Sequence, residues 1–566
     1  MATAVTQAAT PLADGAADAP AGATRVVAAK AGASFGQSAT RQRSTCRIRA
    51  GTASPDLQAD WDSCWLDDRP LTTLDDWQRI IDGGRLAEVE GSFVMAWRDA
   101  AGATHLARDG VGGRSMFYGL SRNGLAYARA LPDLLAHAPI ERRLNLPAVA
   151  RYLATAYVPG RETLVEGVFE VLPGEQVTCT PDGHLTRRPF WQLPADGLSQ
   201  ASEADLRQEL RRLLERATQR LLPPPGEPVG ATLSGGVDSS LVVALARRLH
   251  DAPVHTWSVS FGERNPNELA FSSLVARHCG TRHAILELSP AVILHHLDET
   301  IGLLSDPIGD PLTVPNALLF REASSHTGIV LNGEGGDPCF GGPKNQPMVL
   351  AELYAMPNGE RPSRAANYLR SHLKCYDDFQ EMLSSSALDA LAAAPLEAWL
   401  APMLGDPRWP DYVSRLQAMN IALKGAHHIL PKVDALSRLF GVLPRSPLFD
   451  RAVVAHSLRL PPRLKLNGAI EKHLLKEAVR DLLPEAIIAR PKSGMLVPVE
   501  GWFRGPLLPA ARERILDGLA PYGIFQRDYL EQLLAGRLGG LRPRHGAKIW
   551  LLVTLEAWLR KVFRLP

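Results

Sequence analysis

The chain has 566 residues, 45% of them hydrophobic and 22% charged, with 62 basic residues against 60 acidic ones. That length is too great for one core and predicts two or three domains of ordinary globular composition. Nothing in the near-neutral balance asks for nucleic acid or an acidic membrane surface as a partner. No run reads as the ~18 consecutive apolar residues of a membrane span.

Residues 1–44 read as a disordered tail, rich in Ala with Thr, Gly and Pro and lacking the apolar core of a secretory signal. Arg25, Lys30, Arg41 and Arg43 give it a faint transit-peptide cast; a tail, or a start codon placed too early, is the preferred reading. Residues 45–198 read as a β-rich domain, with alternating runs Ser92–Trp97 and Gly124–Ala128 between Asp/Gly turns. Ala204–Leu222 is a charged amphipathic helix halted by Pro223-Pro224-Pro225-Gly226, the clearest linker signal in the chain. Beyond it strands alternate with helices: Val229–Leu233, helix 239–250, Val254–Phe261, helix 268–279, Ala284–Leu288 and Ile329–Leu331. This is the pattern of a doubly wound α/β domain with a parallel sheet, here spanning 199–566 and largely helical from about residue 380. Cys46, Cys64, Cys179, Cys279, Cys339 and Cys375 lack metal-ligand spacing and read as reduced thiols of a cytoplasmic protein.

The richest stretch is Ser234-Gly235-Gly236-Val237-Asp238-Ser239-Ser240, set between a strand and a helix. Glycines let backbone approach an anion, hydroxyls add donors, and the helix N-terminus carries positive charge. No Gly-Lys-Ser/Thr ending is present, so the γ-phosphate lysine of a Walker loop is missing.

The stretch resembles the pyrophosphate loop of ATP pyrophosphatases. Ala107–Tyr118 and Gly167–Gly174 are similar to two signatures of the class II glutamine amidotransferase domain. With Asn332-Gly333-Glu334-Gly335-Gly336-Asp337, Asp434, Arg445–Asp450 and Arg490-Pro491-Lys492-Ser493-Gly494, the order resembles the asparagine synthetase superfamily over roughly 85–505. The resemblance implies an αββα amidotransferase-like domain followed by an ATP pyrophosphatase domain with a helical extension.

The departures are equally informative. Glutaminase chemistry in such domains uses a cysteine directly after the initiator methionine; here Ala2 stands there, and Cys46 and Cys64 precede Arg47 and Trp65 instead of a Gly-rich start. The Asn-Gly-Glu-Ile-Tyr-Asn stretch that holds glutamine is also missing, so a degenerate domain without a nucleophile is expected. Three branches then remain: ammonia-dependent asparagine synthesis, β-lactam-type synthetases, and lasso peptide cyclases. The second carries tyrosine where Glu334 stands, and Leu443 replaces a Glu usual in the first. The resemblance is therefore drawn to the lasso cyclases, with the small-molecule amide ligases as the alternative. It implies ATP and Mg²⁺, a precursor peptide as substrate, and a leader peptidase and leader-binding protein as partners.

Carried over by position, the resemblance places pyrophosphate at Ser234, Gly235, Gly236, Ser239 and Ser240, and the adenine end at Leu233, Val259, Ser260, Asn332 and Gly333. Asp238 and Asp337 are the Mg²⁺ candidates, since two anions must meet in the adenylylation step. Glu334 is the candidate base, Asp434 its assistant or a helix acid paired with Arg438, and Lys492 the cation for the oxyanion and α-phosphate. Arg445 and Lys472 are lesser candidates, and His427-His428 reads as helix surface or packing.

Overall fold

A computed structural model of the chain describes residues 24–27, 57–122, 124–262, 265, 268–342, 348–349, 363–491, 494–538 and 544–564. Strand Val229–Thr232 lies inside a six-stranded sheet ordered Thr24–Val27, Arg282–Glu287, Val254–Ser260, Val229–Thr232, Ile329–Leu331, Leu443–Arg445. Every pairing in it is parallel. Successive strand residues point to opposite faces, and the sequence supplies apolar groups to both. Val229, Ala231, Val254, Ile329 and Leu331 join a core with helices Glu203–Leu221, Val237–Leu249 and Leu269–Cys279. Trp257, Val259 and Val330 face the other way, onto helices Pro290–Ile301 and Thr313–Ser324. Each fully buried Leu, Val or Ile in these layers stabilises the fold by about 1.5–3 kcal/mol.

The two edge strands are not legible as strands in the sequence. Pro444 sits in the middle of Leu443–Arg445, opposite Val330, and a proline is tolerated there because the strand is an edge. Thr24–Val27 lies within the stretch read as a disordered tail; its backbone instead pairs with Arg282–Glu287, so that reading fails for these four residues. An unpaired sheet edge is a template that a short β-branched segment can complete. The proline cluster at 223–225 joins two elements packed on the same sheet, since the helix before it lies in that sheet's core.

The N-terminal domain is layered as expected from its resemblance. A six-stranded sheet (Leu185–Pro189, Glu175–Cys179, Thr104–Arg108, Glu90–Arg98, Leu57–Leu66, Arg69–Pro70) faces a three-stranded one (Gly124–Ala128, Phe117–Ser121, Val168–Glu170). Val94, Ala96, Leu106, Met116, Tyr118 and Val177 fill the space between. Helix Leu74–Asp82 covers the outside of one sheet through Trp77 and Ile80, and helix Leu146–Thr155 covers the other. That last helix shares one core with the synthetase helices, and the Tyr152 hydroxyl donates to the Leu551 carbonyl at 2.9 Å. The two domains are therefore fused through apolar packing.

Two helical features escaped the sequence reading. Asn420–Ile429 is a ten-residue π-helix leading directly into helix Leu430–Arg438. Ser385–Leu404 is long and apolar enough to cross a membrane by length and composition, contrary to expectation. It forms two nine-residue helices, Ser385–Ala393 and Leu396–Leu404, with Pro395 between them.

Candidate active site

The loop after Val229–Thr232 is shaped by its own bonds and by close packing. Gly235 has φ +82°, and a Cβ there would lie 2.7 Å from both the Phe271 Cβ and the Ser272 nitrogen. Ser234 N donates to Ser239 Oγ at 3.1 Å, and Ser239 Oγ donates to the Gly236 carbonyl at 3.2 Å. Gly236 is the N-cap of helix Val237–Leu249 and makes no side-chain cap, so the positive end of the helix faces this loop.

The Asn332–Asp337 turn closes against this helix end. Asn332 Oδ1 accepts from Glu334 N at 3.1 Å and from Ser446 Oγ at 2.6 Å, which fixes the turn beneath Glu334. A Cβ on Gly336 would meet Asp238 Oδ1 at 2.2 Å, so only glycine permits the approach. The Lys472 ammonium sits 2.5 Å from Asp238 Oδ2 and 2.5 Å from Asp337 Oδ1. Burial opposes its charge, but the two carboxylates outweigh burial and raise its pKa. Both carboxylates thus converge on one cation. Hard oxygens beside a phosphate-type loop are a donor set suited to Mg²⁺, with phosphate oxygens and water completing the shell. Among the described residues no group of three or more His, Cys, Asp or Glu could hold a metal by itself.

Leu233, Ser234, Asp238, Ser239, Val259, Asn332, Gly333, Glu334 and Asp337 line a single cavity of about 280 Å³. Gly235, Gly236, Ser240 and Ser260 are not on its wall, and Ser240 is wholly buried in the helix. Lys492 lies outside the described residues.

Asp434 is placed elsewhere. It is buried in an ion cluster with Arg114 and Arg129 of the N-terminal domain, Arg129 Nη2 donating to it at 2.6 Å. Burial pushes its carboxyl up, but the Arg114, Arg129 and Arg438 guanidiniums hold it well below the usual range. It lines a separate small cavity, so the structure does not bring it to Glu334. The neighbouring helix positions explain this: Lys432 faces the nucleotide-type cavity, and two residues on the face has turned away. Arg445 is a salt-bridging residue, donating to Asp62 at 2.7 and 2.9 Å and to the Leu221 carbonyl at 2.6 Å.

The cavity also gathers residues the sequence reading missed. Asp310 accepts from Lys432 Nζ at 2.6 Å, and His428 stands 3.8 Å from the same oxygen. Lys424 completes this wall. His428 is therefore a cavity residue, stacked on Tyr157 at 5.2 Å, while His427 is buried against Glu170 at 2.6 Å. Lys424, His428 and Lys432 recur at intervals of four, a spacing that puts them on one helix face and was available in the sequence.

Residues 209–560 match the asparagine synthase family, and residues 82–191 match the glutamine amidotransferase domain. The chain is similar to asparagine synthetase [glutamine-hydrolyzing] 1 of Bacillus subtilis, 24% identical over 497 residues, covering 83% of this chain and 78% of that protein. It is similar to asparagine synthetase [glutamine-hydrolyzing] 3 of the same organism, 24% identical over 424 residues, covering 72% and 67%. Amidase chry2 of Gibberella zeae is 24% identical over 493 residues, covering 75% of this chain and 72% of that one. With a family match over more than half its length, the chain belongs to the asparagine synthase family and is an ATP-dependent carbon–nitrogen ligase.

Proposed function

We propose that this ligase is a peptide macrolactam synthetase of the lasso cyclase type that works without glutamine hydrolysis. A side-chain Asp or Glu carboxylate of a precursor peptide attacks the α-phosphorus of ATP, giving an acyl-adenylate and pyrophosphate. The peptide's own N-terminal amine then attacks the acyl carbon, and AMP leaves with the amide formed. The loop at Ser234–Gly236 and the helix end receive the departing pyrophosphate. Asp238 and Asp337 would hold Mg²⁺, which supplies charge neutralisation between carboxylate and phosphate. Glu334, on the cavity wall, takes the proton from the attacking ammonium, and Lys492 carries the cation role of its motif.

The observation that carries the amine source is Cys64. It lies beside the amidotransferase-like signature, is 1% exposed, and its Sγ donates to the Ser92 carbonyl at 3.4 Å. Burial and the nearby Asp109 and Asp62 carboxylates push this thiol well above its ordinary pKa, the opposite of what a nucleophile needs. Cys179 of the same domain is also buried. A leader peptidase and a leader-binding protein would be the partners, in the cytoplasm, where the five described free thiols would stay reduced.

The test is pyrophosphate and AMP release with ATP, Mg²⁺ and each of three substrates: precursor peptide, free aspartate, and a β-amino acid. Release with peptide alone, and a product lighter by one water, is expected. Release with aspartate or the β-amino acid and none with peptide selects a small-molecule amide ligase. Ammonia formation from glutamine would overturn the amine assignment.

A further inference from the structure

The nucleotide-type cavity also carries side chains to which the proposed adenylylation gives no role. One wall is the π-helix Asn420–Ile429 and the first turn of Leu430–Arg438, which present Lys424, His428 and Lys432. Wide π turns of this kind are rare and concentrate at functional sites. Lys432 is committed: its ammonium is 2.6 Å from Asp310 and buried. Burial lowers its pKa, but Asp310 and Glu334 outweigh burial and raise it. His428 is fixed from behind by Tyr157, a residue of the N-terminal domain, whose ring lies nearly parallel to it at 14°.

Lys424 is different. It lines the cavity half-buried, and among the described residues no carboxylate lies within 4.0 Å of it. Lys374 and Arg544 stand close enough for their charges to act together with Lys424 and Asp310, and neither has a carboxylate within that distance among the described residues. Burial lowers the Lys374 pKa, the Asp310 charge opposes that shift, and like charge from Arg544 and Lys424 adds to it. Lys424 is thus a half-buried cation on the cavity wall with no carboxylate of its own among the described residues, and Lys374 adds like charge near it. Such charge is unfavourable unless an anion joins it.

We infer that this wall of the cavity is the docking wall for the carboxylate to be activated, with Lys424 its contact. Asp310, Lys432 and His428 hold the wall in place, and Tyr157 gives the N-terminal domain a part in substrate positioning that needs no thiol. The inference rests on the ligase reading above for its carboxylate substrate. A phosphate of ATP is the other anion with suitable oxygens, and kinetics separate the two.

The experiment measures initial rates of pyrophosphate release for full-length wild type, Lys424→Gln, Lys424→Arg and Lys374→Gln. ATP and the carboxylate substrate are varied independently, using whichever of peptide, aspartate or β-amino acid the wild type accepts. Lys424→Gln raises KM for the carboxylate about tenfold, about 1.4 kcal/mol, and leaves KM for ATP within about twofold. Lys424→Arg restores most of it, and Lys374→Gln shifts the same constant by less. An unchanged carboxylate KM in both Gln variants overturns the inference. So does an ATP KM that rises in step, which would make Lys424 a phosphate contact. If Lys424→Gln does not fold, Lys374→Gln decides. If aspartate is accepted and peptide is not, the macrolactam reading falls while the docking wall is still tested with aspartate.

Discussion

Lys472 places its ammonium 2.5 Å from Asp238, with the Asp337 carboxylate on its other side at the same distance. The lysine is fully buried and itself sits at φ +57°, in the left-handed region that a non-glycine residue adopts only under tight local constraint. It stands between the two carboxylates that the proposed function assigns to Mg²⁺ and supplies one positive charge of the protein's own there.

Replacing Lys472 with Met removes that internal counter-charge. Without nucleotide, the Asp238–Asp337 pair should then bind a divalent cation about tenfold more tightly, roughly 1.4 kcal/mol. Mn²⁺ titration followed by electron paramagnetic resonance reads this directly. Unchanged Mn²⁺ affinity with intact secondary structure would show that the two carboxylates do not form the cation site.

Asp434 is the anion around which Arg114 and Arg129 of the other domain are buried. Asp434→Asn keeps the shape but leaves two guanidiniums facing Asp60 as their remaining acid in the cluster. Loss of one partner from such a cluster costs about 3–5 kcal/mol, seen as a lower denaturant midpoint. Adding Arg129→Met should recover part of the loss by removing one stranded charge. A variant as stable as wild type would mean the cluster contributes nothing to domain docking.

Asp306 links the domains in another way, its Oδ1 accepting from the Leu164 nitrogen at 2.9 Å. Burial pushes its carboxyl up to about 8, that one hydrogen bond opposes the shift, and the Glu170 charge adds to it. The unfolded chain releases this proton near pH ~4, whereas the folded protein keeps it until about pH 8. The stabilisation it gives is thus complete below the unfolded value and is lost as pH rises through the folded one. Thermal unfolding at pH 6 and pH 9 should show a larger drop for wild type than for Asp306→Asn. Equal drops would place the ionisation of Asp306 outside that window.

The central strands and the helix after the loop could be read from the chain because short apolar runs, small-residue turns and helical periodicity act within a few residues. Val229–Thr232, Val254–Ser260 and Ile329–Leu331 are bounded by such signals. Leu443–Arg445 was not, because its three residues include a proline and its strand character comes only from pairing with Ile329–Leu331.

The site divides the same way. Sequence by itself marked the Ser234–Ser240 loop, the Glu334 turn and the Asp238 and Asp337 carboxylates as candidates, since each sets glycine and acid at fixed short offsets. Tertiary structure alone decided that Asp434 is clamped by arginines over 300 positions away, at separations of 320 and 305. It likewise decided that Lys472 joins the two carboxylates, and that Asp310 meets a π-helix carrying Lys424 and His428. Buried charges take their partners from whatever packing brings near, and no local pattern records that choice.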